Sequence, residues 1–334
     1  MHPLISNNNT PYENLNPNII LAAIESVGYN CNGSLLALNS YENRVYQIGI
    51  EDSEPVIAKF YRPNRWSNAA IKEEHEFSRA LCEREIPIVE PLSDKNGQTL
   101  HEYQGYRFAI FPRRSGRSLE PDNYDQLELM GRLIARIHAL GSLKPFLHRT
   151  TLDIESYGLN SLKFLVDNDV VPVELRSSYI EICEQVLAEI EAAYLSVPNL
   201  KYIRIHGDCH LGNLLCKDDK IHIVDLDDAT MGPAVQDIWM LVSGNIWNQK
   251  MELSLIIDAY REFHDFDLRE LNLIEPLRTL RMIQYSAWLA SRWNDPAFPK
   301  AFPWFDTRNY WQEQITNLKT QYNILLEKPN YLLY

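Results

Sequence analysis

Side chains able to bind transition metals crowd one short run of this 334-residue chain. In IHGDCHLGNLLC, residues 205–216, His206, Asp208, Cys209 and His210 fall within five positions and Cys216 closes the run. A structural zinc site asks for four tetrahedral ligands, usually as two pairs two to four residues apart. Here His206, Asp208 and His210 alternate, the nearest addition is His222 inside an apolar run, and no second Cys/His pair stands close. A different chemistry needs only His206, Asp208 and Asn213. The spacing His206-x-Asp208-x-x-x-x-Asn213 matches the loop H-x-D-x-x-x-x-N of phosphoryl-transfer enzymes. A carboxylate at Asp208 can accept a proton from an attacking hydroxyl, and a loop lets it reach that hydroxyl. Asn213 offers an amide oxygen to magnesium, a hard cation that prefers oxygen. Twelve residues later Asp225 ends the apolar run IHIV, where a second, charged magnesium ligand is required. The same order of loop carboxylate, amide and strand-end carboxylate leaves Cys209 and Cys216 as small packing residues.

Neighbouring residues have supporting readings. His206 is expected to brace the loop backbone. Strand alternation puts Asp227 on the face of Asp225 and Asp228 opposite, so both read as supporting or turn residues. Asp237, in GPAVQDIWM, is either the N-cap of the next helix or an acid that ties down the loop through its backbone N–H groups. A nucleotide grip must come from elsewhere. Lys59 sits mid-strand in VIAKF, the setting of the phosphate-holding lysine of V-A-I-K, and the following helix carries KEEHEF. Its offset from Phe77 and Leu81 selects Glu74 as the partner of Lys59, with Glu73 as the alternative. The loop over the phosphates would be LNSYENRVY. It has no G-x-G-x-x-G, so Ser40 and the backbone N–H groups around Asn43 would have to form the cradle.

These groups need a scaffold. PNIILAAIESVGY predicts a short helix opened by Pro17. ALNSYENRVYQIGI predicts a hairpin, and PVIAKFYRP a further strand. SNAAIKEEHEFSRALCERE predicts a helix capped by Ser67, with Ala70, Ile71, Glu74, Phe77 and Leu81 along one side. IPIVEPL and YRFAIFP return to strand character, and PRRSGRS is a turn signal. The expected organisation is therefore a loose tail over 1–15, an N-terminal nucleotide-binding lobe over 16–112, a hinge over 113–117, and a catalytic and substrate lobe over 118–334. The fold class is α+β: a small antiparallel sheet with one long helix, then a larger, mainly helical lobe. YDQLELMGRLIARIHALG, SYIEICEQVLAEIEAAYL and EPLRTLRMIQYSAWLASRW carry the helical periods of that second lobe, and IHIVDLDD reads as a strand.

Composition limits the partners. A formal net charge of −13 opposes a general nucleic-acid or anionic-membrane surface. It tolerates a basic peptide or a cationic small molecule better. Five scattered cysteines without framework spacing read as reduced thiols of a cytosolic protein. The N-terminal residues lack a basic stretch followed by an apolar run, and no run approaches the roughly 18 apolar residues of a membrane span.

The segments HGDCHLGNLL and VDLDDATMGPAVQDIWM resemble the kinase-like phosphotransferases that include aminoglycoside and choline kinases. LNSYENRVYQ, AKFYRP, FPRRSGR, IEPLRTLR and WNDPAFPKAFPWF extend the resemblance, from about residue 15 onward, to the bacterial stress response kinase A family. The resemblance implies a two-lobed kinase-like fold and a cytoplasmic, monomeric, ATP- and magnesium-dependent serine/threonine protein kinase. Carried over position by position, Asp208 is the proton acceptor, Asn213 and Asp225 hold magnesium, Asp225 also counts with the catalytic pair, Ser40 lies at the ATP loop and Lys59 at the phosphates. His206-Gly-Asp stands where protein kinases of eukaryotes have His-Arg-Asp, Asp225-Leu-Asp replaces Asp-Phe-Gly, and no Ala-Pro-Glu follows. Two rival functions share the motifs. One is a small-molecule alcohol kinase, for which Trp288, Trp293, Trp304 and Trp311 would have to supply an aromatic cage for a choline-type cation. The other is a nucleotide-binding pseudokinase, which the joint presence of Lys59, Asp208, Asn213 and Asp225 opposes.

Overall fold

A computed structural model describes residues 10–118, 123–217 and 220–332. Residues 1–9 of the expected tail lie outside the described residues. From residue 10 the chain is packed: the Tyr12 hydroxyl donates to Phe60 O at 3.2 Å, and the Arg44 guanidinium lies 4.4 Å from its ring centre.

Helix α1 (Pro17–Ser26) starts where Asn16 accepts hydrogen bonds from the Asn18 and Ile19 amides, with Pro17 in the first turn. Strands β1 (Cys31–Leu38), β2 (Arg44–Ile50) and β3 (Val56–Phe60) follow as an antiparallel meander. Helix α2 (Asn68–Cys82) is capped by the Ser67 hydroxyl and buries Ala70, Ile71, Glu74, Phe77 and Leu81, the stripe its sequence period predicts. Strands β4 (His101–Tyr103) and β5 (Tyr106–Pro112) complete a five-stranded sheet in the order β1-β2-β3-β5-β4. IPIVEPL departs from expectation. Pro87 and Pro91 cannot donate to a ladder, and the segment forms a single bridge, Ile88 to Ile223, fixed by Val89 N to Ile223 O and Ile223 N to Pro87 O.

The chain leaves the sheet at Pro112 and next pairs at β6 (Arg117–Ser118), with residues 113–116 between them. The larger region contains α3 (Tyr124–Gly141), a π-turn over Ile154–Leu159, α4 (Asn160–Asp167) and α5 (Val173–Leu195). Four short strands carry the chemistry-bearing loops: β7 (Ile203–Ile205), β8 (Leu214–Lys217), β9 (Lys220–Ile223) and β10 (Thr230–Gly232). Helices α6 (Val235–Trp239), α7 (Ile246–Tyr260), α8 (Ile274–Ser291), α9 (Ala297–Ala301) and α10 (Arg308–Glu327) finish it. The fold is the expected two-lobed α+β arrangement. No helix among the described residues is long and apolar enough to cross a membrane.

One core runs from α2 through α3 and α7 to the strands beneath the central loop; a second joins α5, α8 and α10, where Tyr179 and Trp311 meet edge to face. Charges tie the two regions across the cleft. Asp295 receives Arg44 at 2.9 Å and Arg62 at 2.7 Å, and Glu42, in the β1–β2 loop, receives Arg292 at 3.0 Å and the Trp288 indole N–H at 2.5 Å.

Packing of α3 on α7 depends on Gly131, where an added Cβ would stand 2.4 Å from Ile256 O. The obstacle is backbone and cannot rotate away. Gly131→Ala is therefore expected to lower stability by about 1–3 kcal/mol despite the better helix propensity of alanine. Urea unfolding of the two proteins checks this, and a variant as stable as the parent would show that the helices separate without cost.

Candidate active site

The central loop is held from beneath by one carboxylate. Asp237, on α6 and almost fully buried, accepts the His206 amide at 2.7 Å and the Gly207 amide at 2.8 Å. Its Oδ2 also accepts the His138 Nε2–H from α3 at 3.0 Å. Of the two roles open for Asp237, the structure has the loop tie; Ala234 occupies the cap position of α6. Gln236, its neighbour, donates to Gly207 O at 3.0 Å. His206 braces the backbone as expected, with Nε2 donating to Val224 O at 3.0 Å and Nδ1 accepting the Asp208 amide at 3.3 Å. Gly207 has φ +84°, and a Cβ there would lie 2.3 Å from Asp228 O. The left-handed backbone and this close approach are the physical reason for glycine at position 207.

Three candidate residues form one hydrogen-bonded unit on this base. The Asn213 side-chain N–H donates to Asp208 O at 2.9 Å, and Val224 N donates to Asn213 O at 3.0 Å, directly before Asp225. With its nitrogen committed, Asn213 keeps Oδ1 as an acceptor. Asp225 adopts a left-handed conformation, φ 63° and ψ 66°, which Asp tolerates better than most residues. Its side chain is 52% exposed and meets Lys59 Nζ at 2.8 Å.

The cations around the two acids differ from expectation. Lys59 pairs with Asp225 and, at 3.2 Å, with Asp227; it does not pair with Glu74. Glu74 is buried, its closest ion-pair partner is Arg149 at 3.8 Å, and one of its carboxylate oxygens has no hydrogen-bond partner. Glu73 points elsewhere, accepting the Leu147 and His148 amides at 2.7 and 2.8 Å. The cause lies in the turn after β9. Residues Leu226–Asp228 form a 3-10 turn, so strand alternation stops at Ile223. Asp227 turns inward with its side chain 4% exposed, while Asp228 stays 47% exposed. Asp227 thereby reaches Lys59, Arg65 and the Asn43 amide, and Arg65 also binds Asp228.

Asn43 is buried and faces inward. Its side chain bridges Asp227 at 3.0 Å and the Arg62 amide at 3.0 Å, closing the β1–β2 loop onto the turn that carries Asp225. Ser40 lies partly exposed in the same loop. Arg149 holds the turn from behind, donating to Asp227 O, Ala229 O and, on α2, Ala70 O, with its guanidinium 4.2 Å from the Trp66 ring centre.

These contacts set the protonation states. Burial opposes charge on Lys59, but Asp225, Asp227 and Glu74 outweigh it and keep the ammonium protonated. Burial also opposes ionisation of Asp208. Hydrogen bonding from His210, 3.5 Å away, and the Arg281 guanidinium, 2.8 Å away, prevail and hold its carboxyl well below the usual range. Asp227 is held low in the same way by Arg65, Lys59 and Arg149 against its burial. Burial dominates at Glu74, whose carboxyl is pushed up to about 7.

Arg65, Arg149, Glu42 and Arg281 were not among the residues expected from sequence. Arg65 had a signal in FYRPNRW, six residues beyond Lys59, and Arg281 in the polar face of the α8 period, at 281, 284, 285 and 288. The clustered metal-binding types separate: Cys209 is fully buried, His206 is bonded to backbone through both nitrogens, and His210 caps the 3-10 turn Leu211–Asn213.

Residues 34–274 match the phosphotransferase enzyme family. The chain is 42% identical over 325 residues, 97% of its length and 98% of the relative's, to stress response kinase A of Escherichia coli strain K12. It is equally similar, over the same shares, to a Salmonella typhimurium protein named serine/threonine protein kinase RdoA. Solved structures share the fold at low identity. An amicoumacin kinase in complex with AMP-PNP, Ca2+ and its ligand superposes with a TM-score of 0.69 at 18% identity, covering 94% of this chain and 95% of the other. A microcompartment-associated aminopropanol kinase superposes with a TM-score of 0.67 at 19% identity, covering 92% and 97%. With that full-length similarity added to a kinase-like fold and its central loop, the chain belongs to the stress response kinase A family of phosphotransferase enzymes.

Proposed function

We propose that this chain transfers the γ-phosphoryl group of ATP, with magnesium, to a serine or threonine hydroxyl of a protein, as a monomeric cytoplasmic kinase of a bacterial stress response. The observation that carries the reading is the single unit formed by Asp208, Asn213, Asp225 and Lys59, in a chain whose relatives bear kinase names along almost their whole length. The neighbouring folds named for small-molecule kinases support a second reading, transfer to a small alcohol, because fold does not decide the acceptor.

The donor set fits magnesium. Asn213 Oδ1 and the half-exposed Asp225 carboxylate are hard oxygen donors on adjoining, backbone-linked segments. Held there, magnesium would neutralise the triphosphate oxygens as charge moves between them. The Lys59 ammonium supplies a second cation beside the same phosphates. Ser40 and the backbone of the β1–β2 loop cover them, in a loop fixed by Asn43 to Asp227 and by Glu42 to α8. Asp208 orients the acceptor hydroxyl and takes its proton as the phosphoryl group leaves ATP. Asp237 keeps that carboxylate in place through the loop amides, so little reorganisation accompanies transfer. Glu74 contributes negative potential to Lys59 across the interior rather than a direct pair.

Asp208→Ala is expected to reduce transfer from γ-labelled ATP by about 10²–10⁴-fold while retaining nucleotide binding. Asp225→Ala is expected to lose magnesium-dependent nucleotide binding together with transfer. Label on protein, with both variants silent, sustains the reading; near-parental labelling by Asp208→Ala sinks the assignment, and label found only on a small alcohol selects the second reading.

Glu74 makes a pH prediction. Its folded carboxyl, at about 7, lies above the ordinary value of 4.5, so its contribution to stability is present at pH below 4.5 and is lost as pH rises through 7. Glu74→Gln removes that loss. The stability of Glu74→Gln relative to the parent should therefore climb between pH 4.5 and 7, by on the order of 2 kcal/mol. Denaturation at several pH values measures it, and a difference independent of pH would show that Glu74 ionises normally.

A further inference from the structure

A cavity of about 540 Å³ is lined by Asp208, and Lys59 is not among its lining residues. Its floor holds Asp208 and Asp228, which are the carboxylates among the described residues lining it; the other ionised side chains are Arg65, Arg281 and Arg292. One wall is a face of α8 and its C-cap, since Arg281, Gln284 or Tyr285, Trp288 and the capping Arg292 recur at helical spacing. Arg65 and Arg292 have carboxylate partners other than Asp208, Arg65 in Asp227 and Asp228 and Arg292 in Glu42, which Arg62 and Arg65 share. Arg281 differs. Its side chain is 43% exposed to the cavity, and its ion-pair partner is Asp208 at 2.8 Å.

That partner is the group assigned to the acceptor hydroxyl. When Asp208 receives the hydroxyl proton, its negative charge falls and Arg281 loses its counter-ion beside the bound acceptor. An uncompensated cation there is costly, and an anion carried by the acceptor offsets the cost. A cationic acceptor would instead add a positive charge beside Arg281. The aromatic side chains give them little: Trp66 already carries the Arg149 guanidinium on its ring, and Tyr285 and Trp288 stack on each other at 5.6 Å. Trp311 is buried in the second core and Trp293 packs on Phe305, so the four tryptophans do not assemble a cage.

We infer that this site selects acceptors bearing an anionic group, a carboxylate or a phosphate, close to the hydroxyl, and that Arg281 is the residue that reads it. In a protein substrate the anion would be an acidic or already phosphorylated residue flanking the serine or threonine; in a small acceptor it would be the acid of a hydroxy acid. The inference rests on Asp208 being the proton acceptor. It runs against the net charge of −13, which repels acidic partners at long range, so a preference for them must arise locally.

The test measures binding and transfer separately. Serine peptides of equal length, flanked by Glu, Ala or Lys, are titrated into the full chain with magnesium and ADP, and kcat/KM is measured for the same peptides with ATP. The Glu-flanked peptide is expected to bind and react about tenfold better than the Lys-flanked one, the yield of one charge-assisted contact. Arg281→Gln should shrink that ratio to within about threefold, mainly through KM. Equal or better use of the Lys-flanked peptide overturns the inference. So does an Arg281→Gln variant that slows all peptides by one factor, since that places Arg281 on the phosphoryl group or in the scaffold. Peptides that bind with the acidic preference but never become labelled defeat the protein-kinase reading and leave the inference standing. Glycerate against choline provides the small-acceptor arm: preference for glycerate upholds the inference for a small substrate, whereas preference for choline, or binding of neither peptides nor these alcohols, overturns it.

Discussion

Asp227 is a carboxylate buried between the two lobes, and the positions of the other charges follow from its need for partners. A lone carboxylate in the interior would be prohibitively expensive, so Lys59 from the sheet, Arg65 from the loop after it, and Asn43 from the β1–β2 loop all converge on it. Each partner arrives from a different segment of the N-terminal lobe. The contact therefore does more than neutralise a charge: it sets the sheet, the loop above the cleft and the Asp225 turn in one relative arrangement. Asp225 gains its exposed, left-handed position because the next residues tighten into a 3-10 turn that sends Asp227 inward.

A second buried acid, Asp237, plays the corresponding part for the loop of Asp208. It binds backbone amides, so its hold does not depend on which side chains the loop carries. Asp208 therefore sits on a fixed backbone with Arg281 and His210 beside it. Two buried anchors thus hold the partly buried Asp208 and the half-exposed Asp225 in fixed positions, the kind of preorganisation under which charge stabilisation is most effective. The bridges from Glu42 and Asp295 extend this order to the outer rim of the cleft.

Much of this was legible along the chain because the signals are local. The α2 stripe and its Ser67 cap, the exact extent of α3, the hairpin around residues 39–43, and the spacing of Asp208, Asn213 and Asp225 are all set within a few turns or strands. IPIVEPL reads as a strand by its apolar content, yet its two prolines cannot join a ladder and it forms a single bridge. The Glu74 pair fails for a different reason. Helical phase shows that Glu74 faces inward, but the partner of Lys59 is chosen by a turn 166 residues away in sequence.

What the sequence determined by itself is the set of reactive groups: a loop carboxylate, an amide and a strand-end carboxylate at fixed spacing, a strand lysine, and the two-lobed fold that carries them, each encoded by residue type and short spacing. The tertiary structure alone decided which charges neutralise one another. Ion pairs are long-range in sequence and short-range in space, so Lys59 with Asp225 and Asp227, Arg65 with Asp227 and Asp228, and Arg281 with Asp208 emerge only when the elements are packed. The same packing gathered Arg65, Arg281 and Arg292 around one cavity of an acidic chain, a local arrangement that net charge cannot report because it sums over the whole surface.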